Sequence, residues 1–123
     1  MESFAELLRM ERQKAGLSQR GLAKLSRINP AIISRMERAD RGASGPEQVL
    51  SIASALGLDD ERSDSLLASS GFWPRAILHL GPRDETLLAV ARVLARKDGD
   101  GASKERFRSV IALLVEEWQI PYS

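Results

Sequence analysis

Apolar residues recur along this chain at three- and four-residue intervals, and the runs are separated by Gly, Pro and short polar residues. That period belongs to amphipathic helices, and no segment alternates in the manner of a half-buried strand. Phe4, Leu7 and Leu8 put one apolar face on a first helix, which Gly16 closes at a position suited to left-handed backbone. Ser18 is a good N-cap for a second, short helix carrying Leu22, Ala23 and Leu25. Asn29 caps a third helix, and Pro30 fits its first turn, where the missing N–H is harmless. This helix is predicted to run to about Ala39, with Ile33 and Met36 inward. Gly45-Pro46 opens a fourth helix with Val49, Leu50, Ile52, Ala53 and Leu56, ended by Gly57. Asp59 caps a fifth, with Leu66 and Leu67 inside and Gly71 at its end.

Phe72-Trp73-Pro74-Arg75 interrupts the pattern, Ala76 to Leu80 is an apolar stretch too short to classify, and Gly81-Pro82 interrupts it again. Residues 72–82 therefore read as a linker, with Phe72 and Trp73 stapling it to the bundle. Beyond it, Leu87, Leu88, Val90, Ala91, Val93 and Leu94 define a helix with a wide apolar arc. A turn at 98–101 follows, and Ser103 is expected to cap a last helix carrying Phe107, Val110, Ile111, Leu113, Leu114 and Trp118, stopped by Pro121. The expected fold class is all-α: a five-helix domain over residues 1–71, a linker over 72–82 and a helical hairpin over 83–123. Two helices bury too little surface to be stable alone, so the hairpin must rest on the bundle or on another chain.

The 123 residues sum to a net charge of +1, but the distribution is uneven. Residues 1–45 hold nine basic and five acidic groups, residues 46–75 two and five, and residues 76–123 seven of each. The positive surplus is N-terminal, where an anionic partner would be met. Absence of cysteine excludes disulfides, thiolate nucleophiles and Cys-based metal sites. His79 has no second metal ligand nearby, and Asp59, Asp60, Glu61 and Asp64 lack the spacing of a calcium loop and read as a capping, solvated face. Ser18, Ser26 and Ser34 have no His partner for a triad. No catalytic residue, metal or cofactor is expected. Neither a signal segment nor a membrane-length apolar run is present, which points to a soluble cytoplasmic protein with no membrane partner.

Function becomes legible between Leu17 and Arg38. Two short helices joined by a tight turn need a small residue at the crossing, Ala23, and apolar Leu22, Ile28 and Ile33 to lock them. The segments GLSQ, LAKLS, IN, IISRMER and ALGL follow one another at characteristic spacing, and over residues 4–71 the chain resembles the phage-repressor-like, or XRE, family of helix-turn-helix regulators. The resemblance implies that the third helix enters the DNA major groove, so its exposed Pro30, Ala31, Ser34 and Arg35 are the base-reading candidates. Arg35 is the side chain able to fork onto guanine N7 and O6, whereas Ala31 offers only an apolar contact to a thymine methyl. Gln19 matches the family's phosphate-anchoring glutamine, and Asn29, Arg38 and Arg41 fall where further phosphate contacts are expected. Arg12 and Glu37 match positions that form a largely buried ion pair in phage repressors. Arg27 stands where the family's turn glycine is usual, so either a left-handed arginine is tolerated or the turn differs. The loop holding Asp40, Gly42 and Gly45 is also longer than the common pattern.

The tail from Gly101 to Arg108, continued by the apolar helix to Trp118, is similar to the multimerisation hairpin of SinR-type repressors. On that basis Leu87, Leu88, Ala91, Leu94, Phe107, Val110, Ile111, Leu114 and Trp118 form the candidate dimer interface, with intramolecular core as the alternative. Trp118 is the expected anchor. The implied function is a dimeric, sequence-specific regulator, more readily a repressor, on a palindromic operator in double-stranded DNA. A helix-turn-helix domain followed by a helical tail also occurs in repressors inactivated by a partner metalloprotease, and with no room here for a sizeable ligand-sensing domain the expected route of switching is a regulatory partner protein or the hairpin itself. The competing reading is an antitoxin or adaptor whose hairpin caps a partner protein.

Overall fold

The computed structural model describes residues 2–81 and 83–118, and all regular secondary structure among them is helical. Pro82 and Pro121, read above as a linker break and a helix stop, lie outside the described residues. The chain forms two compact units, Met1–His79 and Leu80–Ser123.

The first unit contains α1 (Phe4–Lys14), α2 (Gln19–Ser26), α3 (Pro30–Glu37), α4 (Pro46–Leu56) and α5 (Asp60–Ser69). The starts are set by side-chain caps: Ser3, Ser18, Asn29 and Asp59 accept from the N–H groups of Glu6, Gly21, Ala31 and Arg62. Each such cap contributes about 1 kcal/mol. Leu8, Leu22, Ile33, Met36, Val49, Ile52, Leu66 and Leu67 are fully buried and form one core, with α1 against α3 and α5, α2 against α3 and α4, and α4 against α5. Leu25, grouped with Leu22 and Ala23 by its spacing, is exposed instead. The eight-residue α2 has a narrow buried face made by Leu22, Ala23 and Ser26, and Ser26 donates its hydroxyl to the Leu22 carbonyl at 2.7 Å.

α3 ends at Glu37, short of the expected Ala39, because Ala39 turns into left-handed backbone at φ 61. Arg27 does the same at φ 60 and ψ 32, closing α2 with its N–H on the Ala23 carbonyl. The turn therefore keeps the left-handed geometry of a glycine with an arginine in place. Residues 75–80, too short to classify from sequence, form α6 (Arg75–Leu80) within the stretch expected to be a linker. Its beginning is tied to α5, since the Arg75 N–H and Nε both donate to Asp64 Oδ1, at 3.1 and 3.3 Å, and its Nη2 lies 2.8 Å from Asp60. Phe72 and Leu78 rest against the core, whereas Trp73 is 49% exposed, so only Phe72 of the expected staple is seated.

A buried carboxylate joins the first three helices. The Glu37 side chain is 1% exposed and takes a bidentate pair from Arg12, Nε to Oε2 at 2.6 Å and Nη2 to Oε1 at 2.8 Å. Arg12 also donates Nη1 to the Leu17 carbonyl at 2.9 Å, fixing the chain between α1 and α2. Gln19, at the start of α2, donates Nε2 to Glu37 Oε1 at 3.3 Å, and Arg9 donates to the Glu37 carbonyl at 2.7 Å. The hydrogen bond to Glu37 raises the Arg12 pKa further above its ordinary value, so the guanidinium stays charged. A second buried carboxylate, Glu11, meets Arg62 of α5 at 2.5 Å.

The second unit holds α7 (Glu85–Leu94) and α8 (Gly101–Trp118). Asp84 caps α7 through the Leu87 N–H at 2.8 Å. The cap of α8 is Asp100 and not Ser103: the carboxylate accepts from the Ser103 N–H at 2.6 Å, and hydrogen bonds from Ser103 hold its carboxyl below the usual range. Asp100 directly precedes the helix, where an anion also meets the positive end of the dipole. Among the described residues no side chain of α7 or α8 is buried, and Val90, Leu94, Phe107 and Ile111 line an open cleft between the two helices. No helix among the described residues is long and apolar enough to cross a membrane.

Two stability measurements follow from the first unit. In urea unfolding of the full chain, Arg12→Ala lowers the unfolding free energy by roughly 3–5 kcal/mol, because it strands a buried charge, while Arg12→Met with Glu37→Leu recovers most of that loss. Arg27→Gly raises stability by about 0.5–1 kcal/mol, the relief of a left-handed L-residue less the extra chain entropy of glycine, seen as a higher thermal midpoint.

Candidate nucleic-acid interface

The orientation of α3 is fixed from behind. Ile33, Met36 and Glu37 are buried, so the opposite side of the helix faces outward, with Pro30, Ala31 and Arg35 exposed and Ser34 half-buried. Among the described residues Arg35 takes part in no ion pair and no side-chain hydrogen bond, which leaves its five donors available for a planar acceptor such as a guanine edge. The Ala31 N–H is already held by Asn29 Oδ1 at 2.8 Å, so Asn29 presents its amide NH2 group as the remaining donor.

The residues assigned to phosphate differ in how they are placed. Gln19 is half-buried and donates one Nε2 hydrogen to Glu37, which leaves its second Nε2 hydrogen and the N–H groups at the start of α2 without an intrahelical partner as the donors at this position. Arg38 is exposed and pairs with Asp40 at 3.2 Å, a surface contact that a phosphate can displace. Arg41, in the loop after α3, is exposed and makes only a 3.4 Å contact with the neighbouring Gly42 carbonyl. Arg20, Lys24 and Arg27 are three further exposed cations on α2 and its turn that motif reasoning did not assign, although the N-terminal charge surplus includes them. Arg27 borders a cleft between α2 and α4 together with Leu25, Glu47 and Leu50.

Charge is segregated within the unit. Four of the five acidic residues of the 46–75 segment lie at α5, where Asp59 caps the helix and Asp60 and Asp64 hold Arg75, and the fifth, Glu47, is on α4. Arg20, Lys24, Arg27, Arg35, Arg38 and Arg41 lie on α2, α3 and the turn and loop that follow them, whereas Arg9, Arg12 and Lys14 are on α1 and engage Glu37 and Glu11. This places a basic, exposed surface around a rigidly backed helix, an arrangement suited to a polyanion with an edge to read.

The expected dimer residues fall into two groups in the second unit. Leu94, Phe107 and Ile111 are half-buried around the α7–α8 cleft, and Leu87 and Leu88 are half-buried on α7. Ala91, Val110, Leu114 and Trp118 are exposed, as are Leu113 and Val115, which were left out of the expected interface.

A family model described as a helix-turn-helix domain matches residues 3–66 of the 123. No curated protein and no solved structure matches the chain. The match covers more than half of the sequence and includes the capped α2–α3 pair, the left-handed turn between them and the exposed face of α3: the chain belongs to the helix-turn-helix domain family, a family of DNA-binding regulators.

Proposed function

We propose that this protein is a cytoplasmic, sequence-specific transcriptional repressor of the phage-repressor-like kind, a binder and not an enzyme, acting as a homodimer on a palindromic site in double-stranded DNA. The observation that carries this reading is the outward half of α3. It presents Arg35 without a partner, and the buried Glu37 cluster holds the same helix against α1 and α2. In the major groove Arg35 discriminates guanine by a bidentate contact, worth about 1–3 kcal/mol against the wrong base. Pro30 and Ala31 are poor hydrogen-bonding partners for bases, and Ser34 is half-buried, so part of the specificity comes from the shape and deformability of the site.

Gln19, Asn29, Arg38 and Arg41 set the register by holding phosphates on either side of the reading helix. Two copies joined through the Leu80–Ser123 unit would place two reading helices on half-sites about 34–36 Å apart, or a multiple of that. The exposed apolar residues of α8 support that assignment, because a helix with so much uncovered apolar surface is completed by association. A partner protein that competes for these helices is the proposed route of regulation.

Selection of bound sequences from a random DNA pool, run with the full chain beside two variants, tests the reading. The wild type enriches a palindrome, and Arg35→Ala loses preference at one base position in each half-site; an unchanged motif in that variant removes Arg35 from base reading, and sequence-independent binding by the wild type overturns the proposal. Arg38→Ala weakens all sequences about equally and lowers the slope of log affinity against log salt by about 1, measured by titration at several salt concentrations. A base-selective loss in Arg38→Ala would instead make it a reader.

A further inference from the structure

We infer that α8 pairs antiparallel with α8 of a second copy, through a stripe made by Arg106, Val110, Leu113 and Glu117. This deepens the dimer reading above and rests on it. These four residues follow one another at intervals of four, three and four along the helix, the spacing of a coiled-coil seam, so they share one face. All four are exposed, with Val110 at 55% and Leu113 at 63%.

The charges on α8 are placed against its own dipole. The first turn holds no acidic residue and the last turn no basic one. The N-terminal half carries Lys104, Arg106 and Arg108 against the single Glu105, and the C-terminal end carries Glu116 and Glu117. In an isolated helix Lys104, in the first turn, and Glu116 and Glu117, in the last, face the wrong pole of the macrodipole. Among the described residues Arg106, Arg108, Glu116 and Glu117 enter no ion pair, and Arg106 meets only the Ser103 hydroxyl of its own helix at 3.1 Å.

Antiparallel pairing with a second copy removes both penalties. When Arg106 lies opposite the partner's Glu117, Val110 lies opposite the partner's Leu113, and the same two pairs recur on the other side of the two-fold axis. Each basic end then also lies beside the negative end of the other helix. A parallel pair would instead set Arg106 against Arg106 of the partner subunit and Glu117 against Glu117 of the partner subunit, which like-charge repulsion disfavours. Leu114, 51% exposed and next to the stripe, widens the apolar strip that the contact would cover.

The absence of cysteine from the chain makes the test direct. Full-length Arg106→Cys and Glu117→Cys proteins are mixed and treated with a short bis-maleimide, with sedimentation run alongside. In the mixed pair the two thiols face each other and the remaining Arg106 and Glu117 still pair, so crosslinked heterodimer forms at about ten times the yield of either crosslinked homodimer. Crosslinked homodimers of each variant would mean parallel helices and overturn the antiparallel seam while leaving the dimer standing. A sedimenting dimer without any crosslink would move the interface elsewhere and likewise overturn the seam. A wild-type chain that stays monomeric at all concentrations would overturn the seam and the dimer reading together.

Discussion

Glu37 is the constraint on which the geometry of the first unit depends. A carboxylate at 1% exposure is stable there only if it is fully partnered, and Arg12 and Gln19 supply that partnership from two different helices. Because Glu37 is the last residue of α3, that helix is held at its C-terminal end against α1 and α2, while Asn29 and Pro30 define its other end. The outward face of α3 is thus an indirect product of an inward charge. Such a cluster adds less net stability than an apolar core of the same volume would, but its hydrogen bonds are all satisfied only when the three helices keep this arrangement.

The turn between α2 and α3 shows a second constraint. Three residues must reverse the chain while Leu22, Ala23 and Ile33 remain buried, and left-handed backbone at Arg27 meets that demand at a conformational cost. Core packing outweighs the local preference of an arginine because the apolar contacts on either side of the turn fix its path. Ala39 sits in the same region for a related reason: α3 must stop after Glu37 so that the following loop can carry the chain round to α4.

The second unit follows a different logic. Its helices are well capped and amphipathic, yet among the described residues none of their side chains is buried. Local signals are enough to specify helix, but they supply no core, and two helices offer too little area to provide one. Under the dimer proposed above, association would supply the apolar cover that α8 lacks within its own unit.

Helix positions, most caps, the all-α class and the helix-turn-helix were legible in the sequence, because periodicity, Ser, Asn and Asp at helix starts and glycine at helix ends act within a few residues. The Arg12 and Glu37 positions were legible only through a family resemblance, whereas the reach of that pair to Leu17 and Gln19 came from the fold. Less was visible where the deciding contact is distant in the chain. The helical character of residues 75–80 depends on Asp60 and Asp64 and on room for Phe72 and Leu78 against the core, and the exposure of Leu25 depends on how narrow the buried side of α2 becomes. The expected dimer residues were likewise one undivided apolar set in sequence. Sequence by itself determined most of the helical segments and the helix-turn-helix they include, since those properties arise from local hydrogen bonding and residue chemistry. Only the tertiary structure decided which faces are covered, which arginines are tied to carboxylates and which apolar side chains stay open, because burial is a property of the whole assembly of helices and not of any one of them.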